Sequence, residues 1–218
     1  MQDLDYLIEI LKKKDVKVIN RKKYNYIMYQ GIETDYVYLL LEGVVKISSV
    51  LKDGREFNIF YVTETDFISL LEDSSDGEIA AAYNARVESD EVSFYRIPRR
   101  DFWRWVEEDF RLFKIVNDFY KRRLVMNLSI FQNMTVKGKK GAVCAHLYDM
   151  IETFGIKKPE GILIDFPMTN EDIAGFCGIS SRSSVNRILH DLKGEGVIDI
   201  IDGQIMIYDQ HYLRNFVD

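Results

Sequence analysis

The residues from Thr169 to Leu192, TNEDIAGFCGISSRSSVNRILHDL, admit few backbone solutions. Thr169 followed three positions later by Asp172 is a capping-box start, which offers acceptors to the free N–H groups of a first short helix carrying Ile173, Ala174 and Phe176. Gly178 tolerates a positive φ where that helix must stop, Ile179 can plug the angle, and Ser180 or Ser181 can cap a second helix. In the second helix Val185, Ile188, Leu189 and Leu192 recur at i, i+3, i+4 and i+7 and form one apolar stripe. An advance of about 100° per residue turns Ser183, Asn186, Arg187 and His190 to the opposite side. A solvated amphipathic helix of any α/β domain would explain that stripe equally well, so the segment behind it matters.

Gly194, Glu195 and Gly196 end the helix, and VIDIIDGQIMIY then predicts two short β-branched strands around Asp202-Gly203, a strong hairpin signal. Helix, turn, helix and hairpin make a winged helix-turn-helix. Small hydroxyls and one arginine on the outward face suit a DNA major groove, because Arg187 can bond guanine O6 and N7 together. Arg182 and Ser184 fall near the positive end of the helix, where phosphates bind, and Thr169 opens the preceding helix.

Net charge sits awkwardly beside that reading: the chain carries 29 Lys and Arg against 35 Asp and Glu, a formal −6. From Val136 onward the count is 9 against 12, or −3, so no strongly basic footprint exists. DNA binding must then rely on a local cluster, with Lys137, Lys139, Lys140, Arg182 and Arg187 available and the acids turned away. Modest non-specific affinity and reliance on a dimer follow.

Upstream, Leu4, Leu7, Ile8 and Leu11 stripe a helix over Asp3 to Lys14. From Val16 to Arg96 short strands alternate with turns: YNYIMYQ, YVYLLLEGVVKISSVL, EFNIFYV, EIAAAYNARV and EVSFYRI, with Glu42-Gly43, Asp53-Gly54 and Ser89-Asp90 between them. That spacing predicts a double-sheet roll of the jelly-roll type. A short helix, DFWRWVEED, supplies Phe102, Trp103 and Val106 as core. Next, FRLFKIVNDFYKRRLVMNLSIFQNM carries Phe113, Val116, Tyr120, Leu124, Leu128 and Phe131 at spacings of three and four, with Phe119, Val125 and Ile130 off the stripe. Such a helix has two faces to bury, one on its own roll and one on a second copy, which predicts a homodimer. Thr135 to Gly141, TVKGKKG, reads as a hinge, AVCAHLYDMIETFG as a helix, and ILIDFPM as a strand pairing with the wing. The fold class expected is α+β in three parts: a β-roll over 1–109, a dimerisation helix over 110–134 and a winged helix-turn-helix over 135–218.

MTNEDIAGFCGISSRSSVNRILHDLKGEGVI resembles the C-terminal domain of the Crp/Fnr transcription regulators. It shares their threonine before an acid-Ile-Ala helix, the turn glycine, and the Ser-Val-x-Arg-x-Leu spacing of Ser184 to Leu189. Within that family it resembles the branch of the listerial virulence regulator, echoed by KGKKGAVCAHL, KPEGI and the upstream sheet. The resemblance implies a double-stranded β-helix of cyclic-nucleotide-binding type ahead of the reader, Arg187 on a guanine, and Arg182, Ser183 and Ser184 on bases or backbone. It also implies a homodimer on near-palindromic double-stranded DNA, and RNA polymerase as a partner if the regulator activates.

A cyclic-nucleotide site in that family resembles G-E-x-x-L followed by R-[ST]-A. Here DFISLLEDSSDGEIAAAYNAR lacks the glycine-glutamate after Phe67 and has Glu78, Ile79 and Ala80 where the arginine triad would stand. Arg86 comes too late. An acid facing a phosphate repels it, so cAMP is not expected. In the listerial branch the junction of roll, long helix and reader takes glutathione. Tyr61 and Arg122 match that site in type, while Val62, Met126 and Phe154 have lost its phenolic hydroxyls, so glutathione is poorly served and another small effector, or none, is expected.

Cys144 and Cys177 have no metal-ligand spacing and read as reduced core thiols. All three histidines lie after residue 140, which disfavours haem and cupin-type metal sites, and no catalytic constellation is assembled. No apolar run approaches a membrane span and MQDLD has no basic leader, so a cytoplasmic non-enzyme is expected. The competing reading is a degenerate sensor module acting through protein contacts.

Overall fold

The computed structural model describes residues 2–33, 35–70, 80–136 and 138–217, without the side chains of residues 2, 3 and 133–136. Two compact units are separated, residues 1–124 and 125–218, with the boundary inside one long helix.

The first unit opens with α1 (Gln2–Lys13) and continues through β1 (Val18–Lys22), β2 (Tyr26–Met28), β3 (Tyr36–Glu42), β4 (Val45–Val50), β5 (Glu56–Val62), β6 (Asn84–Val87) and β7 (Glu91–Pro98). Helices α2 (Arg99–Glu108) and α3 (Phe110–Val136) follow. The strands form two antiparallel sheets, β1-β7-β3 and β2-β6-β4-β5, the roll expected from the turn spacing. β1 is an addition: VINRK is mostly exposed, so no apolar alternation announces it, and it is held by pairing with β7.

YVYLLLE reads as an unbroken apolar run because β3 buries residues on both faces. Val37 and Leu39, with Tyr95 and Ile97 of β7, meet Leu7 and Leu11 of α1, Phe102, Trp105 and Val106 of α2, and Leu112, Ile115, Val116 and Phe119 of α3. Phe67 ties this layer together, edge-on to Phe102 and Phe119 at 5.6 and 5.5 Å. In α2 the fully packed tryptophan is Trp105. Trp103, expected in the core, is only partly buried against the cluster, because Trp105 and Val106 share the inward arc with Phe102.

A polar feature lies across the second sheet. Strand register sets Lys46 beside Arg86 on one side and Tyr61 on the other. Lys46 is 0% exposed, with its Nζ 3.2 Å from Glu56 and 3.9 Å from Glu88. Arg86 holds Glu88 at 2.7 Å, and Ser48 Oγ donates to Glu56 at 2.6 Å. A buried ammonium is tolerated only with such partners.

In the second unit α4 (Gly138–Phe154) precedes β8 (Gly155–Lys158), β9 (Gly161–Ile164), α5 (Asn170–Phe176), α6 (Arg182–Gly194), β10 (Ile198–Ile201), β11 (Gln204–Ile207) and α7 (Gln210–Arg214). The sheet order is β10-β11-β9-β8, so ILIDFPM does pair with the wing, through Ile164 opposite Ile205. The hinge is shorter than TVKGKKG suggested. α3 runs to Val136 and α4 starts at Gly138, whose φ of +63° lets the backbone turn within about one residue. Lys137 lies outside the described residues.

Candidate nucleic-acid interface

Local chemistry builds the helix pair in detail. Thr169 caps α5 reciprocally: Asp172 N–H donates to Thr169 Oγ1 at 3.0 Å and Thr169 N–H donates to Asp172 Oδ2 at 3.1 Å. Ile173, Ala174, Gly175 and Phe176 are buried on its inner face. Gly178 takes φ +61°, and Ile179 is buried with its N–H donating to the Ala174 carbonyl at 2.9 Å. Of the two serines that could cap α6, Ser181 does so, accepting from Ser184 N–H at 3.1 Å.

Val185, Ile188, Leu189 and Leu192 of α6 are all buried, as the stripe requires. Arg182, Ser183, Asn186, Arg187 and His190 are exposed and Ser184 is half-buried. Ser181 Oγ stands 2.7 Å from Ser183 Oγ, and Asn170 Nδ2 donates to Asn186 Oδ1 at 3.3 Å, so these groups are already oriented by neighbours. Arg182 and Arg187 form no ion pair among the described residues, which leaves both guanidiniums available to phosphate or base. Behind them the wing turns at Asp202 and Gly203, with φ +50° and +81°, the I′ geometry that joins strands by two residues.

The cationic cluster is smaller than the sequence count suggested. Lys140 Nζ is committed to Glu195 at 2.7 and 3.0 Å, and Tyr212 Oη donates to the same carboxylate at 2.9 Å. Those bonds hold the Lys140 ammonium well above its ordinary pKa and the Glu195 carboxyl below its own. Lys193 is likewise paired with Asp199. Of the named cluster, Lys139, Arg182 and Arg187 remain without an ion-pair partner among the described residues.

The other expected residues divide between the units. In the first, Tyr61 is half-buried and Val62 is buried in β5. Arg122 is exposed but bonded to Asp66 at 3.1 Å, and Asp66 also binds Arg123 at 3.1 Å. Sequence reasoning missed Arg123, which is buried with its guanidinium 4.0 Å from the Phe60 ring; nothing in RRL distinguishes it from its neighbour. In the second unit, Met126 is half-buried and Phe154 is stacked on Phe166 at 4.2 Å. Residues 71–79, which include Glu78 and Ile79 of the cyclic-phosphate comparison, lie outside the described residues. Along α3, Phe113, Leu124, Leu128 and Phe131 are 49, 61, 56 and 65% exposed. Val116 is 5% exposed within the roll's helical layer and Tyr120 packs partly against it, so in a single chain both already have apolar neighbours.

Cys144 and Cys177 are buried free thiols whose pKa values burial raises. No group of three or more metal-ligating side chains occurs among the described residues, and no described helix is long and apolar enough to cross a membrane.

Comparison with known proteins agrees with this architecture. The Crp-like helix-turn-helix domain profile matches residues 141–216, and the cyclic nucleotide-binding domain profile matches residues 19–109. The chain is 43% identical over 213 residues to the lactate racemization regulatory protein of Lactiplantibacillus plantarum, covering 98% of this chain and 96% of that one. It is 24% identical to the listeriolysin regulatory protein of Listeria monocytogenes, covering 94% and 87%. Among solved structures, a CRP-family transcriptional regulator of Thermus thermophilus superposes with a TM-score of 0.76 at 22% identity, covering 91% of this chain and 95% of that one. A capped helix pair backed by a wing, a double-sheet roll ahead of it in the chain, and 43% identity over nearly the whole length to a known regulator converge: the chain belongs to the Crp/Fnr family of DNA-binding transcription regulators.

Proposed function

We propose that two copies of this chain pair along α3 and present their two α6 helices to successive major grooves of a near-palindromic operator. The observation that carries this reading is the exposed Arg187, which has no ion-pair partner among the described residues, at the centre of a helix whose opposite face is wholly buried. Arg187 reads guanine bidentately, Ser183, Asn186 and His190 contact neighbouring base edges, and Arg182, Ser184 and Thr169 hold phosphates. The exposed Phe113, Leu124, Leu128 and Phe131 are the surface a second copy covers; Val116 fastens the same helix to its own roll, and Tyr120, packed there only in part, gives its remaining surface to the second copy. Recognition helices about 34 Å apart then set the half-site spacing.

The protein acts in the cytoplasm as a non-enzymatic regulator and does not answer to cyclic nucleotide. An effector held by the first unit would find its polar side chains in Tyr61 and Arg122, since Val62 offers none. If the regulator activates, RNA polymerase is the further partner. The 43% relative is named for regulation of lactate racemization, so promoters of lactate-metabolising genes and the chain's own upstream region are the first to test.

Gel-shift titration over a salt series tests the reading. The parent protein should give a sequence-dependent, salt-sensitive shift, and Arg187→Ala should lose about 1–3 kcal/mol of discrimination at one base position. A parent protein that shifts no tested promoter at any salt, or an Arg187→Ala protein with unchanged base preference, would reject it.

A further inference from the structure

The apolar stripe of α3 is interrupted by two asparagines, Asn117 and Asn127. Phe110, Phe113, Asn117, Tyr120, Leu124, Asn127 and Phe131 follow one another at alternating spacings of three and four, the repeat of a coiled-coil seam. Leu112, Ile115, Val116 and Phe119 fall on a different arc and are buried in the roll's helical layer. Phe110, Phe113, Leu124 and Phe131 are 75, 49, 61 and 65% exposed. Asn117 sits between Phe113 and Tyr120 on this seam and is half-buried, whereas Asn127 is exposed, and the Asn117 amide makes no hydrogen bond among the described residues.

We propose that Asn117 meets its own counterpart across the twofold axis of the dimer and sets the register in which the two chains associate. The inference rests on the dimer reading above and adds to it a named register residue. A seam repeating every three and a half residues is followed along its length only by a helix of the same pitch, and a second α3 is such a helix. A primary amide is self-complementary: in a parallel, in-register pair one Nδ2 donates to the other Oδ1. Slipping by one heptad step would set the amide against Phe110 or Leu124 and leave its donor and acceptor unmet in an apolar contact. The polar layer therefore weakens the dimer relative to an all-apolar seam while excluding the alternatives. Uniform register also fixes the separation of the two readers.

Disulfide trapping of the full chain tests this. Facing seam positions of a parallel helix pair lie within the Cα separation a disulfide requires, roughly 4.4–6.8 Å. Oxidised glutathione should convert Asn117→Cys to a covalent dimer, while Asp118→Cys, one position around the helix, and the parent, whose two cysteines are buried, should stay largely uncrosslinked. Asn117→Asp should raise the dimer dissociation constant at least about tenfold by facing two carboxylates, with monomer melting little changed. A dimeric parent whose Asn117→Cys does not crosslink, or crosslinks no better than Asp118→Cys, overturns the register role and leaves the dimer standing. A dimer constant for Asn117→Asp within twofold of the parent also overturns it. A parent monomeric at micromolar concentration in sedimentation overturns both this inference and the dimer reading.

Discussion

Asp66 is the carboxylate that anchors the middle of α3, since it binds Arg122 and Arg123 through one oxygen each at 3.1 Å. Arg122 is 56% exposed at its side chain, so that half of the pair contributes little. Arg123 differs: its side chain is 11% exposed, burial pulls its pKa down, and the Phe60 and Phe119 rings lie 4.0 and 5.2 Å from its guanidinium. Asp66→Asn would leave that guanidinium enclosed without its carboxylate. Breaking a fully buried pair from one side costs about 3–5 kcal/mol, and the retained rings and an amide oxygen recover part of it, so the expected loss is about 2–3 kcal/mol. For a unit of this size that corresponds to a fall of roughly 6–15 °C in melting temperature. Both tryptophans, Trp103 and Trp105, lie in the first unit, so urea unfolding followed by tryptophan fluorescence reports on that unit selectively. Adding Arg123→Met should restore part of the loss, with a coupling of at least about 1 kcal/mol. An Asp66→Asn protein within about 0.5 kcal/mol of the parent, or strictly additive effects in the cycle, would refute the assignment.

Three further outcomes are expected. Thr169→Ala removes one half of the reciprocal cap on α5 and should destabilise the reader by about 1 kcal/mol, with Thr169→Ser close to the parent in far-UV thermal melts; equal losses would discount the cap. Gly161→Ala would place a Cβ 2.2 Å from the Ile207 carbonyl oxygen, so β9 must part from β11. Amide exchange of Met206 and Ile207 should accelerate well before that of α4, and unchanged protection would mean the strands accommodate the methyl. His146 stacks on Phe176 at 4.6 Å with Nε2 enclosed and without a hydrogen bond, and burial lowers its pKa to about 4. An unfolded histidine near pKa 6.5 takes up its proton first, so this stabilisation is complete above about pH 6.5 and is lost between there and pH 4, up to roughly 3 kcal/mol. His146→Phe should flatten the stability profile over that range, and a profile as steep as the parent's would assign the effect elsewhere.

The reader was legible in the sequence because its determinants are local. Thr169 and Asp172 are one helical turn apart, Gly178 answers the need for a positive φ at the break, and Val185 to Leu192 repeat at the helix period. The wing announces itself through Asp202-Gly203 between β-branched runs, and the roll through its turn spacing. Less was legible where a segment's state depends on its neighbours: β1 and β8 are short and exposed, and ladder pairing alone makes them strands. Trp103 and Trp105 are indistinguishable in composition, and only the arc facing the sheet chooses between them.

Sequence by itself determined that this chain carries a capped helix pair with an arginine on its outward face, since caps, turn glycines and helical periodicity act within a few residues of one another. Tertiary structure alone decided which charges are spent. Lys46 looks like an outward strand lysine yet is enclosed by Glu56 and Glu88; Lys140 looks like a phosphate ligand yet is held by Glu195, 55 residues away; and Arg123, unlike Arg122, is buried against Phe60. A charge takes whichever partner the fold brings within a few ångströms, and chain pairing at long range, which no local pattern encodes, makes that choice.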